Sequence, residues 1–219
     1  MPDFDYQWAN LPSANIEYQP ARIKEFLEHV KLDASFFSGK RCLDCGCGNG
    51  RWTWAMQELG AEVTSLDISP EAVAACRSVN ASAYQANILE LEPTAAWDFV
   101  WCWGVLHHTS DPREAFRRVA AQVKPGGMLH IMVYHRDTQR PYEKGRRIWK
   151  DLSHEERMAL CHKKATECGG DVHGWWDAFN PMYNWSYRER DVEKWFREEG
   201  FRDIVLTAKY NINMRGVRS

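Results

Sequence analysis

Gly46, Gly48 and Gly50 alternate in the stretch LDCGCGNGRW, residues 43–52, behind Asp44 and around Cys45 and Cys47. Glycines at this spacing, between a buried strand and a helix, let a ligand approach the backbone closely. The helix N-terminus then offers it free N–H groups. Neither the dinucleotide fingerprint G-x-G-x-x-G nor the G-K-[ST] of a nucleotide-triphosphate loop is present. Asp44, two residues before the first glycine, suits a ligand carrying positive charge near the loop. Asp67 ends the run VTSLD about twenty residues further on, where a strand-end carboxylate can accept hydrogen bonds from both hydroxyls of a ribose. Asn87 and Ile88, in the run QANI, offer an amide and an apolar surface to the edge of a purine.

These residues need a scaffold that brings strand ends together. The middle of the chain alternates short apolar runs with helical patterns, which predicts a βαβ series. Strands are expected over 40–43, 61–66, 82–85, 97–103 and 128–134. Helices are expected over 20–30 and 51–59, from Ser69-Pro70-Glu71 onward, and from Asp111-Pro112 to about residue 123; serine or aspartate followed by proline marks the last two starts. Residues 136–188 carry no strand signal but hold eight aromatics: Tyr142, Trp149, Trp175, Trp176, Phe179, Tyr183, Trp185 and Tyr187. A helix over 191–199 and strands over 201–207 and 210–217 follow. The expected fold is one doubly wound, Rossmann-like α/β domain over 1–219. It comprises an N-terminal arm and helix (1–35), a ligand-binding core (36–135), a helical aromatic-rich insertion (136–188), and a closing helix with two strands (189–219).

Five stretches in order carry a family resemblance. CLDCGCGNGRW, VTSLDIS, YQANILEL, WDFVWCWGVLHHTSDP and VKPGGMLHIMV resemble the successive motifs of class I S-adenosylmethionine-dependent methyltransferases. The resemblance covers roughly residues 38–135, and more loosely 189–217. The wording GVLHHTSDP is most similar to the branch acting on small molecules and lipid-like acceptors. The resemblance implies a seven-stranded sheet with its last strand antiparallel, and S-adenosyl-L-methionine as cofactor. It implies Asp44, Gly46, Cys47 and Gly48 around the methionine, Asp67 on the ribose, Ile68 on the adenine face, and Asn87 and Ile88 at its edge. Trp103 and Gly104 would lie beside the sulfonium, although a tryptophan there departs from the smaller residue the family pattern leads one to expect.

Methyl transfer from a sulfonium mainly needs alignment and exclusion of water, and a base only where the acceptor must lose a proton. The candidates are His107 and His108 after the fourth strand and Tyr134 and His135 after the fifth; a structural role for the histidine pair competes with this. Trp176, Tyr183, Trp185 and Tyr187 are candidate acceptor contacts from the insertion, with Trp8 and Tyr18 from the N-terminal arm. Asp177, Asn180 and Asn184 suit a hydroxylated acceptor. The alternative is that many of these aromatics only fasten the insertion to the sheet. An RNA or protein acceptor, or a non-catalytic cofactor-binding partner subunit, remain competing readings, and the atom methylated and the oligomeric state are open.

Composition sets the outer bounds. The 219 residues are 44 % hydrophobic and 26 % charged with a net charge of −2, ordinary for a soluble domain and without an electrostatic case for nucleic acid or an anionic membrane. No apolar run approaches the ~20 residues of a transmembrane helix, and the first residues lack signal-peptide character. Seven cysteines, several in strand-like runs, point to reduced thiols and a cytoplasmic protein. Neither Cys42-x-x-Cys45-x-Cys47 nor the Cys161, His162, Cys168, His173 group has the paired hooks of a structural zinc site, so no metal is expected. The pairs Arg146-Arg147 and Lys163-Lys164 read as solvated helix faces. Eleven tryptophans are too many for all of them to be core filler.

Overall fold

Strand β4, Trp97–Trp103, shows how the sheet is buried on both sides. Phe99 and Trp101 point into one hydrophobic cluster, while Val100 and Cys102 point into another, as the two-residue period of a strand requires. The computed structural model describes residues 4–11, 18–208 and 210–219. Residues 1–3 and 12–17 of the expected arm, and Lys209, lie outside these.

The other strands are β1 (Arg41–Cys45), β2 (Glu62–Asp67), β3 (Ala83–Gln85), β5 (Val123–Val133), β6 (Phe201–Ala208) and β7 (Ile212–Arg218). They form one seven-stranded sheet in the order β3-β2-β1-β4-β5-β7-β6. Strands β1 to β5 run parallel, and β7 is antiparallel to both β5 and β6. The expected topology is therefore present. Strand β5 starts five residues earlier than its apolar run, because Val123 pairs with Trp97 before a register shift brings Met128 opposite Phe99.

The helices are α1 (Phe4–Asn10), α2 (Pro20–Val30), α3 (Arg51–Glu58), α4 (Pro70–Cys76), α5 (Pro112–Ala120), α6 (Arg136–Trp149), α7 (His154–Cys168), α8 (Val172–Phe179) and α9 (Glu189–Glu198). Phe26, Val30, Trp52 and Met56 from α2 and α3 cover one face of the sheet; Phe116, Val119, Val192 and Phe196 from α5 and α9 cover the other. The starts of α4 and α5 are capped as expected, Ser69 Oγ accepting from Ala72 N and Asp111 Oδ1 from Glu114 N.

Residues 136–188 leave the sheet and return to the same point. Arg136 N donates to Tyr187 O at 2.9 Å, and Tyr187 N donates to Tyr134 O at 2.9 Å. Between these bonds, α6, α7 and α8 build a satellite core of Trp149, Cys161, Trp176 and Phe179, closed by Leu11 beyond α1. No helix among the described residues is long and apolar enough to cross a membrane.

Candidate active site

The switch point of a doubly wound sheet lies where the strand order reverses, here between β1 and β4, and the crevice opens at the strand C-terminal ends. A cavity of about 540 Å³ sits there, walled by the glycine loop, the ends of β2 to β5, α1, and the insertion helices α6 and α8.

The floor is backbone. Gly46 N and Cys47 N both donate to Leu66 O, at 2.7 and 3.0 Å, which pins the loop to β2. Gly46 and Gly48 have φ of +84° and +54°, a region L side chains rarely adopt. A Cβ at Gly46 would stand 2.1 Å from Val105, and one at Gly48 would stand 2.6 Å from the Trp8 ring. Asp67 ends β2 with Oδ2 accepting from Gly48 N and Oδ1 from Ser69 N, both at 2.9 Å. Burial raises the Asp67 carboxyl above its ordinary value, against the pull of those N–H groups. It lines the cavity as expected, and it also ties the loop to the N-terminus of α4.

Asp44 departs from expectation. It lies beneath the loop, almost fully buried and away from the cavity lining. Thr53 Oγ1 donates to its Oδ2 at 2.6 Å, Ser65 Oγ lies 2.8 Å from Thr53 Oγ1, and Asn80 Nδ2 donates to Ser65 at 3.0 Å. This buried chain ends on the carboxyl, whose Oδ1 has no partner among the described residues. Burial pushes Asp44 up to about 7, with Thr53 opposing and Asp67 adding to the rise. Asp44 holds the loop from below and is not part of the cavity lining.

Of the remaining donor-side residues, Cys47, Ile68, Asn87, Ile88, Trp103 and Gly104 all line the cavity. Asn87 is engaged locally, its Oδ1 accepting from Leu89 N and its Nδ2 donating to Glu90. Trp103 Nε1 donates to Asn213 Oδ1 at 3.0 Å, which fixes the ring beside the cavity; Trp101 instead stacks on His130 inside the core. The sequence motifs do not mark Arg51, the residue directly after the third glycine. Its guanidinium carbon lies 4.8 Å from the Trp52 ring and 5.3 Å from the Trp103 ring, on the cavity wall. No described residue hydrogen-bonds that guanidinium. Burial and then the nearby Arg22 lower its proton affinity, so it is a cation in want of an anion.

The histidines separate sharply. His108 Nδ1 faces Tyr183 O at 2.8 Å, so this nitrogen carries the proton and Nε2 keeps its lone pair. Nε2 is buried at the cavity wall without a partner among the described residues. Burial lowers the His108 pKa, with Arg146 adding to this and Asp177 and the Tyr183 carbonyl opposing. His107 is fully buried off the cavity, its ring 3.8 Å from that of Tyr134, and burial pulls it well below its usual value. His135 is not on the cavity either: it caps α6 through Asp137 N and lies 3.4 Å from Glu189. Tyr134 does line the cavity, and burial raises its hydroxyl above the ordinary range.

The expected acceptor contacts divide in the same way. Trp8 and Tyr183 line the cavity. Trp176 does not, being packed between Tyr6 and Trp149 in the satellite core. Trp185 is exposed and bonds Thr109 O, Tyr187 packs on Trp195, and Tyr18 lies against Trp54 while donating to Asn49 O. Large aromatic surface drives the Tyr187 and Tyr18 rings onto neighbouring tryptophans, whereas Trp185 is held at the surface by its hydrogen bond. Asn180 Oδ1 accepts from Trp149 Nε1 and Asn184 Nδ2 donates to Pro181 O, and neither residue lines the cavity, although Asn184 Oδ1 is buried without a partner among the described residues; Asp177 does line it. Arg146 also turns into the cavity, while its neighbour Arg147 stays on the solvent face beside Glu143.

Helix α1 closes the site by a polar clasp. Gln7 Nε2 reaches His173 Nε2 at 2.8 Å and Asp177 Oδ1 at 3.3 Å, and His173 Nδ1 donates to Leu11 O at 2.9 Å. That tautomer makes His173 Nε2 the acceptor for Gln7. Among the described residues, no group of three or more His, Cys, Asp or Glu could hold a metal ion.

Comparison with known proteins agrees with this geometry. A family model described as a methyltransferase domain matches residues 16–206. The ubiquinone biosynthesis O-methyltransferase of Xanthomonas oryzae pv. oryzae (strain PXO99A) is 36 % identical over 107 residues, 45 % of this chain and 45 % of that protein. The protein of the same name from Bordetella avium (strain 197N) is 33 % identical over 119 residues, 51 % and 49 % of the two chains. The chain thus matches these curated relatives over about half their length. In fold it is similar to magnesium protoporphyrin IX methyltransferase from Synechocystis PCC 6803 with bound S-adenosylmethionine. That match has a TM-score of 0.57 and 16 % identity, covering 91 % of this chain and 78 % of the other. It is also similar to 1,6-didemethyltoxoflavin-N1-methyltransferase from Burkholderia thailandensis, with a TM-score of 0.53 and 17 % identity, covering 97 % and 80 %. The chain belongs to the methyltransferase-domain family, in the class I arrangement that takes S-adenosylmethionine.

Proposed function

We propose that this protein transfers a methyl group from S-adenosylmethionine to a hydroxyl oxygen of a small molecule, with His108 receiving the displaced proton. The observation that carries the reading is one continuous cavity joining the glycine loop and Asp67 to the unpartnered His108 Nε2. Its volume lies within the ~300–1,000 Å³ of small-molecule sites. The name of the curated relatives supports oxygen as the atom methylated.

The donor fits the residues present. Arg51, held between two tryptophan faces without a hydrogen-bonding partner among the described residues, suits the carboxylate of the methionine end. Asp67 is placed for the ribose, Ile68 and Ile88 for the base, and the side-chain-free Gly46 and Gly48 for the linking atoms. S-adenosylmethionine supplies a methyl on a sulfonium sulfur, which leaves with the bonding electron pair. As the acceptor oxygen forms its bond to that methyl, His108 takes the hydroxyl proton on Nε2. Its lowered pKa keeps the imidazole neutral and ready at physiological pH. Trp8, Gln7 and Phe4 of α1 exclude water from above.

His108→Gln should lower kcat by roughly 10²–10⁴ while S-adenosylhomocysteine affinity changes little. The test is turnover with labelled donor and a panel of hydroxylated small molecules, read by mass. Loss in Asp177→Asn with His108→Gln still active would move the proton to the carboxylate. Transfer into RNA or protein alone would overturn the small-molecule reading.

A further inference from the structure

Besides Arg51, a second arginine, Arg146, lines the cavity. Arg146, on α6, uses two of its five guanidinium protons: Nε donates to Ala178 O at 2.8 Å and Nη2 donates to Gln139 Oε1 at 2.7 Å. Three remain, two of them on Nη1, and no described residue accepts from that nitrogen. The guanidinium carbon lies over the Tyr134 ring at 5.8 Å and over the Tyr142 ring at 5.7 Å, so two aromatic rings border the fork. Burial lowers its proton affinity, and Tyr134 and then Asp177 oppose this. Asp177 favours the charged form of Arg146 from the cavity wall without forming an ion pair with it within 4.0 Å.

A desolvated guanidinium with free donors beside aromatic faces recognises a planar anion, and carboxylate matches its fork best. We infer that the acceptor is an aromatic hydroxy acid whose carboxylate docks on Arg146 while its hydroxyl faces His108. This rests on the small-molecule reading above and narrows it. Tyr142 and Tyr183 then flank the ring of the acceptor, and the carboxylate sets which hydroxyl is presented.

The experiment uses the full chain loaded with S-adenosylhomocysteine and two probes, 3,4-dihydroxybenzoate and catechol, which differ only in the carboxylate. Calorimetry should show the acid binding about tenfold or more tightly, the value of one charge-assisted contact. Arg146→Gln should abolish that preference and Arg146→Lys should retain part of it, with S-adenosylhomocysteine affinity and the melting temperature checking that each variant folds. Equal binding of the two probes, a preference that survives Arg146→Gln, or binding of neither probe to the loaded protein would each overturn the inference. Methyl transfer to uncharged acceptors alone would defeat it and leave the proposed function standing. Failure to bind S-adenosylhomocysteine at all would defeat the proposed function itself.

Discussion

The two halves of the cavity are built by different means. The donor half comes from short segments at strand ends, and its key constraints are backbone ones: Gly46 and Gly48 at positive φ, and Asp67 accepting from Gly48 N nineteen positions earlier. The acceptor half is assembled from helices remote in sequence; backbone bonds anchor its two ends to the sheet, and side chains join the helices around the cavity. Gln7 reaches His173 across 166 positions, and Arg146 reaches Ala178 O across 32. The first half is rigid because β1, β2 and β4 are locked in a buried parallel sheet. The second depends on a small satellite core, so it is the half in which specificity can change at little cost to the fold.

If the halves are separable in this sense, substitutions should sort by half. The largest effect is expected in the satellite core. Trp176→Ala should cost roughly 3–5 kcal/mol of local stability, by deletion of a large buried ring. Hydrogen exchange should then speed up in α7 and α8 and stay unchanged in β1 and β2, with donor affinity held. A comparable loss of donor affinity would show that the halves fold as one unit.

Next comes the polar chain under the loop. Asp44 has a raised folded pKa of about 7, so its neutral form is favoured in the folded state. Its contribution is therefore complete below the unfolded value near 4 and is lost as pH rises through 7. Asp44→Asn removes that loss. Urea denaturation of the ligand-free protein should show the variant gaining roughly 2–4 kcal/mol on wild type between pH 4 and pH 8. A difference independent of pH would mean that Asp44 is ionised in the folded state.

The smallest effect tests the clasp. Gln7→Ala strands His173 Nε2 and should cost about 1–2 kcal/mol. Because Gln7 also touches Asp177, acceptor KM should rise several-fold while donor affinity falls less. Equal changes in both would show that α1 serves the two halves alike, and a loss of donor affinity alone would place it over the donor half.

Much of the donor half is legible in the amino-acid sequence. A glycine loop between strand and helix, an acid at the end of the next strand, and proline-marked helix starts are local signals, each forced by backbone geometry within a few residues. Asp44 is legible as a member of the motif but not as a buried support, because the side-chain alternation of β1 is meaningful only once the sheet is covered on both faces. The histidine pair is ambiguous for a similar reason. His107 and His108 are adjacent, and only packing against Tyr134 and Tyr183 decides that one is buried and the other reaches the cavity wall. Arg51 carries a usable signal, a cation at the first position of the helix that follows the loop.

Periodicity, and the glycines that supply positive φ, are enough to specify the class of fold, a ligand loop between strand and helix, and an aromatic helical insertion after β5, while the reading of that loop as a methyl-donor pocket rests on the resemblance of five ordered motifs. Which insertion residues face the cavity is a matter of long-range packing instead. Neighbours on a helix diverge by about 100°, so Arg146 and Arg147 cannot both face it. The choice between them is made by α8, about thirty residues further along, which docks on α6 and accepts from Arg146 through Ala178 O, a contact that no local pattern encodes.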